Sequence, residues 1–203
     1  MNFRKIIHLL FYYVVPAFLL GSVLYQLSVG SDIYHLVVEY GGNAFLLVVF
    51  LLFIKPISVL FSKVSFFRTL LSYRREVGVL AFWFAVFHSV SLFYYLNLFS
   101  VQTFFELLQS SALFLTTGVL AFLGMFVLGI TSNRLATLKL GKNWKKLQYI
   151  VYPTFAFICI HKAQAEGEYG SYVVLAVYTV LKLLQYLKMN KLLFWRQKTG
   201  KAL

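Results

Sequence analysis

The chain has 203 residues, of which 61% are hydrophobic, 19% aromatic and only 12% charged, with a mean hydropathy of +0.79. Soluble domains are about half apolar and a quarter charged, so this composition excludes a soluble fold and defines a membrane protein. At about 20 apolar residues per helical span, the length holds about six spans and leaves no room for a soluble nucleotide-binding domain. The net charge of +13, which in a soluble chain points to nucleic acid, here reports topology, and no nucleic-acid partner is expected.

The first apolar run, residues 6–26, follows Arg4 and Lys5. Its length, with no A-x-A-like site after it, predicts a retained helix rather than a cleaved signal. Runs at 38–54, 77–96, 112–130, 147–160 and 172–187 complete an all-α, six-transmembrane-helix bundle forming a single domain over 1–203. Lys55-Pro56 is expected to end the second span, and Pro153 to kink the fifth and free a backbone carbonyl. Residues 58–61 and 101–108 are expected to lie along the membrane surface. Cys159, the single cysteine, excludes an internal disulfide, a Cys-based metal cluster and covalent attachment of heme.

With the N-terminus inside, every one of the 19 Lys and Arg except Lys162 falls on the same side, and Asp32, Glu39, Glu106, Glu166 and Glu168 fall opposite. Glu76 alone among the acids joins the cations. The positive-inside rule therefore places both termini in the cytoplasm, as in a bacterial inner-membrane protein. Loop 132–146 and the tail are read first as orientation signals and second as contacts for anionic lipid.

Ionisable groups inside a span need compensation, which directs attention to the four histidines. His8 stands near the start of the first helix, where packing or snorkelling is the ordinary role. His35 falls in an acidic external loop, where solvation accounts for it. His88 is embedded in the third span and His161 ends the fifth. Counted from the cytoplasmic starts of their helices, they lie about 18 Å and about 22 Å deep at 1.5 Å per residue, so the two rings share a level. Two neutral imidazoles facing across a bundle are the axial pair that a b-type heme requires, and Phe84, Phe87, Phe155 and Phe157 suit a porphyrin wall. Depth matching alone fits equally well two polar residues bonded to backbone or to each other.

The stretch Arg74-Arg75-Glu76-Val77-Gly78-Val79 leading to His88 resembles the ferric-reductase-like transmembrane family. The same holds for Gly129-Ile130-Thr131-Ser132 and for Leu140-Gly141-Lys142-Asn143-Trp144-Lys145-Lys146-Leu147 leading to His161, and Lys55-Pro56 after the second helix agrees. The resemblance covers a core of about residues 40–190. Within the family it is closest to the small heme-binding membrane subunits of periplasmic methionine-sulfoxide reductase systems. It implies heme iron held by His88 and His161. It also implies electrons passed from a quinol, or from a separate flavin reductase, through heme b to a periplasmic reductase subunit.

One departure concerns an inner site. Where the family has a further histidine, this chain has Gln148, 13 residues before His161, and Arg75 stands 13 residues before His88. That interval rises about 20 Å, the spacing at which relatives stack two hemes. Gln148 and Arg75 are poor iron ligands, Arg being permanently protonated. The expectation is one outer heme b, with an inner site absent or holding a differently ligated heme, FMN or a quinone. Thirteen steps of about 100° also carry the two positions more than 200° round an ideal helix. Arg74 and Arg134, with Arg75 and Lys142, are candidates for a quinone headgroup or flavin phosphate, against their plainer role as inside-positive anchors. Trp144 and Trp195 read as interfacial anchors and Trp83 as core packing. The alternatives are a ferric reductase-like protein with another acceptor, such as ferric iron, and a cofactor-free transporter or scaffold. Against a transporter stands the lack of acidic residues within any span.

Overall fold

The computed structural model of the chain describes the backbone of residues 3–30 and 32–199 and the side chains of 6–30 and 32–191. The side chains of Arg4, Lys5, Arg196, Lys198 and Lys201, part of the expected inward charge, and of Trp195, an expected interfacial anchor, lie outside the described residues.

Among the described residues every regular element is helical. Helix α1 runs through three consecutive stretches, Phe3–Leu9, a π-helical turn Leu10–Val14, and Val15–Val29. The π-turn has a local cause: Pro16 has no N–H to give to the carbonyl one turn back, and the helix widens there instead of breaking. Gly30, at φ 66°, ends α1, a conformation that only a residue without a Cβ adopts freely.

Helix α2 (Tyr34–Leu60) is followed by a short α3 (Ser65–Ser72) and by α4 (Arg74–Tyr95). Pro56 does not end α2, as the sequence leads one to expect; the helix carries it inside and continues to Leu60, so positions 58–60 belong to α2 rather than to a surface segment. Glu76 lies in the first turn of α4, where a carboxylate meets the positive end of the helix dipole, and is buried. Helix α5 (Val101–Ser110) begins at Ser100, whose hydroxyl accepts from Thr103 N–H. It corresponds to the expected element at 101–108.

Helix α6 (Ala112–Ile130) leads through two short helices, α7 (Arg134–Leu140) and α8 (Lys142–Leu147), to a 3₁₀ turn at Gln148–Ile150 and then to α9 (Val151–Glu166). Pro153 is thus the third residue of α9, in the first turn, where its missing N–H has no intrahelical partner to lose. The irregularity expected at Pro153 sits just before it, in the 3₁₀ turn. Helix α10 (Gly170–Thr199) completes the chain.

Among the described residues five helices are long and apolar enough to cross a membrane, over Ile6–Val29, Tyr34–Leu60, Arg74–Tyr95, Ala112–Ile130 and Gly170–Lys191. The sixth expected span is α9, which has 16 residues. At 1.5 Å per residue it is about 24 Å long, short of the roughly 30 Å hydrocarbon core.

The ends of the bundle differ in charge. At one end Tyr12 donates to Ser132 O, Trp144 Nε1–H to Thr131 O, and Lys188 Nζ to Val59 O and Leu60 O. Lys55, Arg74, Arg75, Arg134 and Lys142 belong to this basic end. At the other, the Tyr34 and Tyr95 rings meet and Gln26 meets His35, beside Asp32 and Glu39, and α9 finishes there at Glu166. This is the acidic end.

Helix α4 packs chiefly against α2, and α9 chiefly against α6. Toward the basic end the two pairs close on each other through glycine. A Cβ at Gly129 of α6 would lie 2.4 Å from the Phe82 ring of α4, across the pairs, while one at Gly124 would lie 2.0 Å from Thr154 Oγ1 of α9, within the second pair. Small residues let membrane helices approach to backbone contact, and Thr154 keeps its hydroxyl satisfied on its own helix at Ile150 O, 2.8 Å away. Toward the acidic end the pairs diverge.

Candidate functional site

The divergence leaves a cavity of about 1190 Å³ bounded by α2, α4, α6 and α9. Most of its wall is apolar, including Phe45, Ala85, Ala121, Phe122, Met125 and Ile158, and its mouth at the acidic end carries Lys162, Glu166 and Glu168. His88 from α4 and His161 from α9 enter it from opposite pairs, with ring centres 6.2 Å apart and planes crossed at 80°.

Each ring is held by the same device on the partner helix. His88 Nδ1–H donates to Val37 O at 2.9 Å, and His161 Nδ1–H donates to Phe114 O at 3.1 Å. Four residues beyond each accepting carbonyl stands a glycine, Gly41 in α2 and Gly118 in α6. A Cβ at Gly41 would lie 2.7 Å from His88 Nδ1, and one at Gly118 would lie 2.8 Å from His161 Nδ1. The missing side chain is what lets each ring reach a helix carbonyl that already serves its own helix. Phe114 also stacks on the His161 ring, centre to centre 4.5 Å.

The arrangement has a chemical consequence. A carbonyl only accepts, so the proton of each imidazole is fixed on Nδ1 and the lone pair is left on Nε2. An imidazole nitrogen binds a transition-metal ion at about 2.0–2.1 Å and lies about 1.1 Å from its ring centre, so two imidazoles on opposite sides of one ion have centres about 6.3 Å apart. The observed 6.2 Å matches. Orienting a ligand histidine through the hydrogen bond of its other nitrogen is the usual support of a metal site.

The remaining sequence candidates are placed elsewhere. Gln148 lies in the 3₁₀ turn, its amide donating to Thr131 Oγ1 at 3.3 Å at the basic end. Arg74 and Arg75 are exposed at the start of α4, Arg134 at the start of α7 and Lys142 at the start of α8. His8 stacks on Tyr12 with ring centres 4.0 Å apart, and His35 is exposed with Nδ1 on Asp32 O. Trp83 packs against Phe82 and Phe87.

The aromatic wall is corrected. Phe84 packs on Tyr40, Phe87 belongs to a cluster with Leu19 and Val23 of α1, and Phe155 meets Tyr178 of α10. None of these, nor Phe157, lines the cavity; Phe45, Phe93, Phe104, Phe114 and Phe122 do. Sequence reasoning also missed Gly41 and Gly118, whose one signal was glycine inside a helical run, Gly41 beside Gly42 and Gly118 alone.

A helical membrane bundle with two inward histidines held across a cavity between helix pairs is the class of protein that fold and site define. Residues 40–159, more than half of the chain, match the family of ferric reductase like transmembrane components, and the chain belongs to that family. It is similar to the "Protein-methionine-sulfoxide reductase heme-binding subunit MsrQ" of Brucella ovis and of Brucella canis, 33% identical to each over 96 residues. The match covers 46% of this chain and 42% of each relative, so it spans less than half of their length. No solved structure matches.

Proposed function

We propose that the chain is a heme b protein that carries electrons across a bacterial inner membrane, with His88 and His161 as the two axial ligands of the heme iron. The observation that carries this reading is the pair of imidazoles 6.2 Å apart, each with Nδ1–H committed to a helix carbonyl. The name of the Brucella relatives adds that such subunits bind heme.

Heme, when bound, supplies a one-electron iron couple. The chain's residues do the rest. Val37 and Phe114 hold the two rings in one tautomer and Gly41 and Gly118 give them room. The largely apolar cavity wall would surround a bound heme, His88 and His161 would supply its nitrogen ligands, and such a bis-histidine site favours electron transfer.

In this reading α9, though short, is the sixth span, the basic end faces the cytoplasm, and both termini lie there. The donor is a quinol or a separate reduced flavin protein at the basic end, with Arg74, Arg75 and Arg134 as anchors for its anionic groups. The acceptor is a periplasmic methionine-sulfoxide reductase at the acidic end. The family's description favours ferric iron as the second acceptor class.

The test is a dithionite-reduced minus oxidised absorption spectrum, with heme quantified per chain, on the detergent-purified protein and on His88→Ala and His161→Ala. The expected result is a b-type spectrum lost in both variants. A protein that remains colourless after incubation with hemin overturns the reading.

A further inference from the structure

Charge segregation leaves one cation unexplained. Lys162 is the single Lys or Arg assigned to the acidic side of the chain, and it is also the single Lys or Arg among the residues lining the cavity. It directly follows His161 on α9, so one helix delivers an imidazole to the body of the cavity and an ammonium to its mouth. The ammonium has partners within the chain. It lies over the ring of Phe45, itself a cavity residue, with Nζ 5.2 Å from the ring centre. It is paired with Glu166 one turn on, and its side chain is 26% exposed. The other polar groups at this mouth are neutral, such as Ser110, Ser111 and Gln164, or acidic, Glu166 and Glu168. Among the described mouth residues Lys162 is the one that offers an entering anion a full positive charge, while Glu166 and Glu168 repel it.

This describes a receptor for an amphiphile: a deep apolar chamber with two nitrogen ligands and a mouth holding one cation. A porphyrin has that character, with an apolar macrocycle and two carboxylates on one edge. Resting on the heme reading above, we infer that Lys162 is a positioning residue for the cofactor, its ammonium binding a porphyrin carboxylate at the acidic-end mouth and so fixing the in-plane orientation of the ring. The same ammonium would otherwise serve a lipid phosphate at the membrane surface, and the test separates the two.

The full-length chain, produced in heme-limited cells and purified in detergent, is titrated with hemin and with hemin dimethyl ester, whose carboxylates are masked, and followed by Soret absorbance. The wild type is expected to bind hemin about tenfold more tightly than the ester, the weight of one charge-assisted hydrogen bond near a surface. Lys162→Met abolishes that preference by weakening hemin alone, and Lys162→Arg restores it. Two results overturn the inference while leaving the heme reading intact: a wild type that binds both compounds equally, as a lipid-directed lysine would give, or a Lys162→Met variant that keeps the preference or weakens both equally. A wild type that binds neither compound overturns the heme reading, and this inference with it.

Discussion

Replacing Gly118 with alanine adds one methyl group to α6 and should disable the site without disturbing the fold. That methyl would lie 2.8 Å from His161 Nδ1, where ordinary van der Waals contact begins at 3.4 Å. The ring must retreat by about 0.6 Å, which is about three times the 0.2 Å tolerance of a metal-ligand bond. The retreat also strains the bond from Nδ1 to Phe114 O, already 3.1 Å long. Loss of such a supporting contact costs about 10- to 100-fold in metal affinity, so hemin affinity should fall by that factor, and Gly41→Ala should do the same through His88. Gly42→Ala is the internal control. It neighbours Gly41 on α2, but a Cβ there meets nothing within 4 Å, and alanine in a helix is favoured over glycine by about 0.5–1 kcal/mol. The assay is hemin titration, with thermal unfolding in detergent to show that all three variants fold. A Gly118→Ala protein that binds hemin with wild-type affinity and spectrum would refute the cradle argument.

Gly124→Ala tests packing rather than ligation: its methyl would fall 2.0 Å from Thr154 Oγ1, an overpacking expected to cost about 1–3 kcal/mol in detergent unfolding. Thr154→Ala in the same chain should recover part of that loss, and no recovery would assign the effect elsewhere. Gln148→His restores the family's histidine, yet the expected heme content stays at one per chain. The amide it replaces faces Thr131 at the basic end, and the Gly129–Phe82 contact closes the helix pairs on each other there. A second heme in that variant, by pyridine hemochrome and spectral titration, would show an inner site that the packing does not exclude.

The helical content and the membrane class were legible because composition and run length are averages over many residues, insensitive to any one partner. His88 and His161 were legible because a histidine deep in an apolar run must be compensated, and equal depth is a one-dimensional quantity that counting delivers. What counting does not deliver is which helix lies beside which. Gly41 and Gly118 acquire meaning only once α2 is laid on α4 and α6 on α9, and Phe84, Phe87 and Phe155 were misassigned for the same reason: their helices offer aromatic groups on several faces, and the neighbours decide which face the cavity takes. The prolines show a subtler limit. Pro153 is harmless because α9 starts two residues before it, and Pro56 is tolerated inside α2; both outcomes depend on where the helix ends fall, the property that local sequence specifies least.

The histidines reach the cavity from opposite pairs, α2 with α4 and α6 with α9, and each is fully oriented within its own pair. Each pair is therefore a finished half of a clamp. A group bound to both rings joins two units whose direct packing includes the Gly129–Phe82 contact, so its affinity is added to the cohesion of the assembled protein. Ligand present at 100 times its dissociation constant contributes about 2.7 kcal/mol to the folded state. In a cell the supply of that ligand would then govern how much of the chain escapes proteolysis, making abundance follow cofactor availability without any dedicated sensor.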